Sequence, residues 1–594
     1  MAASTLKRQD AAVRPLDGRP AALTLAPRPL SLAPSPVKRP SPASDSRSWK
    51  RLWALFSVAC LLCLACLTTL HNAVAHTTAA NRYTSSGLLA PWRSPRVLAK
   101  LQQLSHMFTA VDASTVKRRE TQLQLAQLGD YECLAWRQTT NCTPQGDPEA
   151  HNDRNCSSVV PSGVSGYCEV RHRSTGDVAR VLSMHCASLR PGVHFTCGMF
   201  QSLLAYSILS TDYEHDANFS YARNQQRFRA ANALPVAASP LSGDEPTAAA
   251  LSFERGIVLV VYEKLLLGAY VSVRSLRAMG CTLPIEMWYD PRETDVGHPL
   301  VQLLVRELHV GLRVLDDPRA TTFYTKLYAV FYSAFDQVLL LDADNFAVRD
   351  PTYLFDAPEF VHTGAMFWPD YWRPGNTIFN IQETSFVWEF FGLTYTDAFE
   401  QESGQVLIDR RRHYKALNVL MYYGFSLPRA FEDLRLVWGD KDLFRFAWLK
   451  TKSPFYMSPR PPGAAGTKHP DYDLFCGVTM VQYDAAGRVL FLHRNTEKLT
   501  DANNRILWTH VQQFKRSLPV SEYYVRGANG GKVFPQFKRC FGKDVHYEKL
   551  FTLKPLSAFS FEHLEDDLLR YTAAGAEVLR LAGYHNETIS EGAD

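Results

Sequence analysis

Two aspartates, Asp342 and Asp344, follow directly on the apolar run Val338-Leu339-Leu340-Leu341. A short run of branched residues predicts a strand buried on both faces. Two carboxylates in the first turn beyond such a strand repel one another unless a cation lies between them. A hard, oxygen-liganded divalent ion is the natural candidate, because it also binds diphosphate oxygens. The plainer alternative is a cap for the turn that follows. The same spacing recurs at Asp440-Lys441-Asp442 and Asp471-Tyr472-Asp473, where a solvated loop explains it as well. Only the first pair leaves a strongly apolar strand, and that context singles it out.

The elements that must position this pair begin near residue 255. Ile257–Tyr262, Leu283–Trp288, Leu312–Leu315 and Val338–Leu341 read as strands; Leu265–Met279, Leu300–Leu308 and Phe323–Phe335 carry helical periodicity. Strands alternating with helices imply parallel pairing and a doubly wound α/β sheet, whose ligands sit off the carboxyl ends of the strands.

Upstream the texture changes. Residues 1–51 hold ten Lys/Arg against three Asp in a Pro-, Ala- and Ser-rich segment, expected to be a disordered cytosolic tail. Leu52 to Leu70 runs nineteen residues without a charge, with Arg47, Lys50 and Arg51 before it. That length and flank predict an uncleaved signal-anchor, with the body beyond residue 71 in the lumen. The cleavage-like Ala73-Val74-Ala75 offers a rival signal peptide, but the leading segment and the apolar run are both too long for one. Residues 71–130 are expected to be a stem. Six cysteines (Cys133, Cys142, Cys156, Cys168, Cys186, Cys197) then lie within 65 residues without zinc-like spacing, so 131–230 is expected to be a disulfide-bonded module of open connectivity. Sequons begin at Asn141, Asn155, Asn218 and Asn586. A linker at 231–250, a catalytic domain at 251–550 and a helical extension at 551–594 complete the division.

Longer motifs extend the pattern. Gly256-Ile-Val-Leu, Ala269-Tyr-Val-Ser-Val-Arg274 and Gly280-Cys-Thr-Leu-Pro-Ile-Glu286 are followed by Lys326-Leu-Tyr328, Leu339–Asn345, Arg349-Asp-Pro351 and Phe367-Trp-Pro-Asp-Tyr-Trp372. Glu402-Ser-Gly-Gln405, Gly439-Asp-Lys-Asp442 with Phe444-Arg-Phe-Ala-Trp448, and Phe491-Leu-His-Arg-Asn495 close the series. Over roughly residues 254 to 500 this order resembles the fungal-type Golgi α-mannosyltransferases (Mnn-type), nucleotide-sugar glycosyltransferases of the GT-A fold.

The resemblance implies a Golgi single-pass type II membrane enzyme that transfers mannose from GDP-mannose to a glycan acceptor with retention and Mn²⁺. Asp342, Asp344 and His493 would then ligate the metal, acting as a Lewis acid on the departing diphosphate. Lys326 and Arg274 are candidates to meet phosphate charge, Tyr262 to stack on the base, and Gly404 and Lys441 to line the donor. Asp440, Asp442, Glu402 and Gln405 are catalytic candidates, the last two expected on a Gly-containing turn that lets backbone approach the sugar. Trp368, Asp370, Tyr371 and Trp372 are expected to receive the acceptor. Retention leaves open a carboxylate nucleophile or entry on the leaving-group face.

Composition narrows the alternatives. Sixty-four basic against 59 acidic residues give a net charge of only +5, which excludes a nucleic-acid binder relying on bulk basicity. A glycoside hydrolase also needs two acids, but not two residues apart beside a metal. A non-catalytic lectin-like ectodomain is a further alternative, as is a transferase for another nucleotide sugar. Homo- and hetero-oligomers are both open.

Overall fold

A computed structural model describes residues 126–213, 254–542 and 547–584, all within the unit formed by residues 109–594. The expected tail, the anchor at 52–70, nearly all of the stem, the linker, Asn218 and Asn586 lie outside the described residues. Among the described residues no helix is long and apolar enough to cross a membrane.

The cysteine-rich segment pairs as Cys133–Cys156, Cys142–Cys186 and Cys168–Cys197. These bridges staple a three-stranded antiparallel sheet of β1 (Tyr131–Thr139), β3 (Ser165–His172) and β4 (Val178–Met184), and a pair made by β2 (Val159–Pro161) and β5 (His194–Thr196). Helix α1 (Phe200–Tyr213) follows. Its Tyr206 stacks on Phe390 at 4.5 Å between ring centroids, and Trp136, Cys168 and Phe200 share one buried cluster with Phe367 and Trp448. The disulfide-bonded segment is therefore built into the core of the chain that follows.

That chain forms a seven-stranded sheet in the order β13-β11-β12-β9-β6-β7-β8. Strands β6 (Arg255–Val261), β7 (Ile285–Tyr289), β8 (Val310–Val314) and β9 (Gln337–Leu341) run parallel. Strand β12 (Gln401–Asp409) runs antiparallel to β9 and to β11 (Ala365–Pro369), and β13 (Tyr456–Met457) edges the sheet. Val338 and Leu340 enter one core while Leu339 and Leu341 enter the other, and Val258 alternates with Ile257 and Leu259 in the same way. Burial on both faces explains why these strands read as unbroken apolar runs. Helices α2 (Leu266–Ala278) and α3 (Pro299–Arg306) belong to one core; α4 (Tyr324–Tyr332), α5 (Tyr414–Phe425) and α6 (Lys441–Lys450) belong to the other. The doubly wound mixed sheet expected from sequence is present, and its strand ends match within about three residues.

A second, largely antiparallel sheet was not anticipated. It joins β10 (Asn345–Ala347), β16 (Val489–His493), β15 (Phe475–Tyr483), β14 (Gly463–Lys468), β17 (His510–Phe514) and β20 (Phe551–Pro555). Two short strands, β18 (Gly527–Ala528) and β19 (Cys540–Phe541), extend it, and a fourth bridge, Cys476–Cys540, ties β15 to β19. The C-terminal segment thus opens with a strand and only then becomes helical, in α7 (Leu564–Leu581), which packs on α2.

Candidate active site

Strand register assembles the site. Strand β9 delivers Asp342 and Asp344 past its last apolar residue, and β10 begins at once with Asn345. Asn345 stands opposite His493 in the β10–β16 ladder, so pairing in the second sheet carries the imidazole to the end of the first. His493 Nε2 lies 3.1 Å from Asp344 Oδ1 and 3.8 Å from Asp342 Oδ2. One ligand atom from each of the three residues falls within 4.8 Å of the others. Two carboxylates and one imidazole suit a divalent ion of hard to borderline character.

The neighbouring strand fits around this group. Asp342 donates its N–H to Gly404 O at 2.9 Å, and Asn345 Nδ2 donates to Gly404 O at 2.8 Å and to Gln405 Oε1 at 2.5 Å. A Cβ on Gly404 would come within 2.6 Å of the His493 ring, so the imidazole can take its place only beside glycine. Residues 401–409 form a continuous strand, however, and not the turn expected around Glu402 and Gln405. Their polar side chains suggested a turn, but they stand buried in a central strand because lysines and amides meet them.

Charge is closely interleaved. Lys326 Nζ bonds Asp342 Oδ2 at 2.8 Å and lies 4.0 Å from Asp440 Oδ1. Lys441 Nζ bonds both Asp370 Oδ2 and Glu402 Oε2 at 2.9 Å. Burial works against each ammonium, yet the adjacent carboxylates outweigh it and hold both lysines above their ordinary pKa. Burial likewise opposes ionisation of Glu402, but Lys441 and His493 bring it down to about 2. Asp370 goes the other way: burial, with Glu402 beside it, outweighs Lys441 and pushes it up to about 6. Asp440 is also raised to about 6, by burial first and by Asp342 next, against the pull of Lys326.

Sequence reasoning missed Lys498, whose Nζ bonds Asp344 Oδ2 at 2.8 Å. A lone lysine in a polar stretch carries no signal until β16 has been placed. It also missed the support behind His493: Arg494 donates its backbone N–H to Asp344 O, and its buried guanidinium bonds Glu565 of α7 at 3.0 Å.

Other expected residues lie elsewhere. Trp368 is fully buried, donates Nε1–H to Tyr483 O and meets Phe491 edge-on. Tyr371 is buried against Phe541, and Trp372 is 8% exposed. These rings are core, so the expected acceptor surface of Trp368, Tyr371 and Trp372 is corrected, and only Asp370 of that block reaches the charged cluster. Asp442 is corrected too: its Oδ1 accepts from Arg445 Nε at 3.0 Å and from Gln401 N at 3.1 Å, which locks α6 to β12. Arg274 lies with its guanidinium 5.9 Å from the Tyr571 ring of α7, and among the described residues no hydrogen bond or ion pair joins it to the cluster. Tyr262 stands 42% exposed at the carboxyl end of β6, within electrostatic reach of Lys498.

Residues 254–484 match the family model described as "Mannosyltransferase putative". The resemblance to the Mnn-type mannosyltransferases holds. The chain is 27% identical to the α-1,2-mannosyltransferase MNN21 of Candida albicans over 238 residues, which is 32% of this chain and 36% of that protein. It is 26% identical to the α-1,2-mannosyltransferase MNN5 of Saccharomyces cerevisiae over 264 residues, 35% of this chain and 45% of that one. The match therefore spans less than half the length of these curated relatives. Among solved structures, the mannosyltransferase Ktr4p of S. cerevisiae in complex with GDP aligns at 12% identity over 43% of this chain and 82% of that one, with a TM-score of 0.24.

Proposed function

We propose that this protein is a metal-dependent α-mannosyltransferase that moves mannose from GDP-mannose to a glycan acceptor with retention, as a type II protein of the Golgi membrane. The observation that carries this reading is the convergence of Asp342, Asp344 and His493 beside Lys326 and Lys498 at the end of the central strand. A two-carboxylate glycoside hydrolase does not require a cation site flanked by lysines, whereas a departing nucleoside diphosphate is stabilised by both.

In this reading Asp342, Asp344 and His493 hold Mn²⁺. When bound, the ion supplies Lewis-acid stabilisation to the diphosphate oxygens. Lys326 and Lys498 each exchange a carboxylate for phosphate charge as the donor enters. Glu402 and Asp370, joined by Lys441, present hydrogen-bonding groups to the mannose hydroxyls and fix the ring. Asp440 Oδ2, buried and without a hydrogen-bond partner among the described residues, is placed to accept a hydrogen bond from a sugar hydroxyl. Gln405 and Asp442 hold β12 in place.

The test is transfer by the purified protein from a panel of nucleotide sugars, with and without chelator. GDP-mannose should be the productive donor, and EDTA should abolish transfer until Mn²⁺ is restored. Glycan cleavage in excess chelator without a nucleotide sugar would overturn the reading.

A further inference from the structure

The aromatic residues named from sequence as the acceptor surface are buried, yet another aromatic group stands open beside the charged cluster. We propose that Trp438 and Phe323 form the stacking platform for the terminal hexopyranose of the acceptor glycan, which rests on the transferase reading above.

Trp438 and Phe323 are each 45% exposed, and Ile378 is 44% exposed. Phe379 lies beneath Trp438, nearly parallel at 22° with 6.0 Å between centroids, so the indole is supported while much of it remains open. Gly439 has φ +59°, and a Cβ there would come within 2.6 Å of Phe323 Cγ. The Phe323 ring therefore lies against the backbone that joins Trp438 to Asp440. One exposed aromatic is ordinary; large apolar side chains gathered around one turn form a patch that asks for an occupant.

The occupant follows from where the patch leads. The residue after Gly439 is Asp440, buried, with Oδ1 4.0 Å from Lys326 Nζ, which bonds Asp342. Phe323 in turn precedes α4, which carries Lys326 three residues later. Both aromatics are thus tied within three residues to groups of the charged cluster. The Tyr324 hydroxyl bonds Glu432, and the Arg429 guanidinium lies 3.7 Å from the Tyr324 ring centroid. Those contacts hold the helical turn Ala430–Asp433, which leads into the loop carrying Trp438, to the start of α4. A pyranose offers one apolar face of C–H groups and a rim of hydroxyls. Flat rings beside a buried carboxylate answer both, whereas a protein partner would need a far wider apolar area.

The experiment measures acceptor and donor KM for Trp438→Ala, Phe323→Ala and Trp438→Phe, with GDP-mannose and whichever of α-mannobiose, lactose or chitobiose the wild-type protein extends. Val361→Ala, at a distant exposed residue, is the control. Each alanine variant should raise acceptor KM about tenfold with donor KM within about twofold, and Trp438→Phe should recover most of the loss. Acceptor KM at the wild-type value in both alanine variants would overturn the platform while leaving the transferase reading in place. A wild-type protein that transfers no sugar from any nucleotide sugar would overturn both.

Discussion

Lys498 Nζ and Asp344 Oδ2 lie 2.8 Å apart, so an ammonium group sits on one oxygen of a carboxylate whose other oxygen, Oδ1, faces His493 Nε2 at 3.1 Å. Burial opposes its charge, but Asp344 outweighs burial and holds the lysine above its ordinary pKa. A cation bound beside His493 would compete with this lysine for the Asp344 charge and leave it freer to meet donor phosphate. Lys498→Met should tighten Mn²⁺ binding several-fold and raise donor KM by about tenfold or more, as expected for a lost charged hydrogen bond. Calorimetric titration with Mn²⁺ and a donor saturation curve check the two halves separately. Movement of neither would detach Lys498 from the site.

Asp342→Asn and Asp344→Asn should each lower kcat/KM by about a thousandfold or more, because metal stabilisation of a departing diphosphate is worth several kcal/mol. Folding should survive, since Asp342 keeps its backbone bond to Gly404 and Asp344 keeps its carbonyl bond from Arg494. Near-normal turnover in either variant, with circular dichroism unchanged, would remove the metal assignment.

The aspartate pair was legible because its strand is buried on both faces, leaving an apolar run that stops abruptly at Asp342. His493 was legible only through a family motif, since its approach depends on Asn345 pairing across to β16. The block at 367–372 misled for a physical reason: tryptophan and tyrosine serve a sugar platform and a core equally well. Their burial decides between them, with Trp368 bonded to Tyr483 O across the two sheets and Tyr371 stacked on Phe541. Glu402 misled in a similar way, because a strand holding Glu, Ser, Gly and Gln looks like a turn until Lys441 and Asn345 supply its partners. The cysteines announced three bridges, but each joins residues that loops outside the β1–β3–β4 ladder bring together, which no spacing reveals.

The position of Tyr206 bears on how the chain can be divided. Its ring stacks on Phe390 and meets Phe391, Tyr422, Tyr423 and Phe431, while Lys450 reaches back to Ser207 O at 3.0 Å. A fragment beginning at residue 254 would expose that aromatic face and leave Lys450 without Ser207. It should aggregate or bind a hydrophobic dye strongly, and lose donor binding with it. Opening the Cys168–Cys197 bridge by double alanine substitution should cost about 2–4 kcal/mol of stability. A soluble fragment from 254 that binds GDP with wild-type affinity would show that the two parts fold independently.

Glu389 gives that same junction a pH dependence. Its carboxylate accepts the Leu182 N–H at 3.0 Å, tying β4 to the body that follows it. Burial pushes it up to about 7 from an ordinary 4.5, with the Leu182 and Ser183 amides pulling only partly the other way. Between those two values the folded protein keeps a proton that the unfolded chain has released. Stability attributable to this group is therefore fully present below pH 4.5 and falls as pH rises towards 7, by about 3 kcal/mol in total. Glu389→Gln retains an oxygen for Leu182 and removes the titration. Urea unfolding at pH 5 and pH 7.5 should show the wild-type protein losing more stability than the variant across that interval. Glu565, also raised to about 7, titrates in both proteins and cancels from the comparison. Equal losses would mean that the Glu389 proton is not retained in the folded state, and that the amides of β4 outweigh burial.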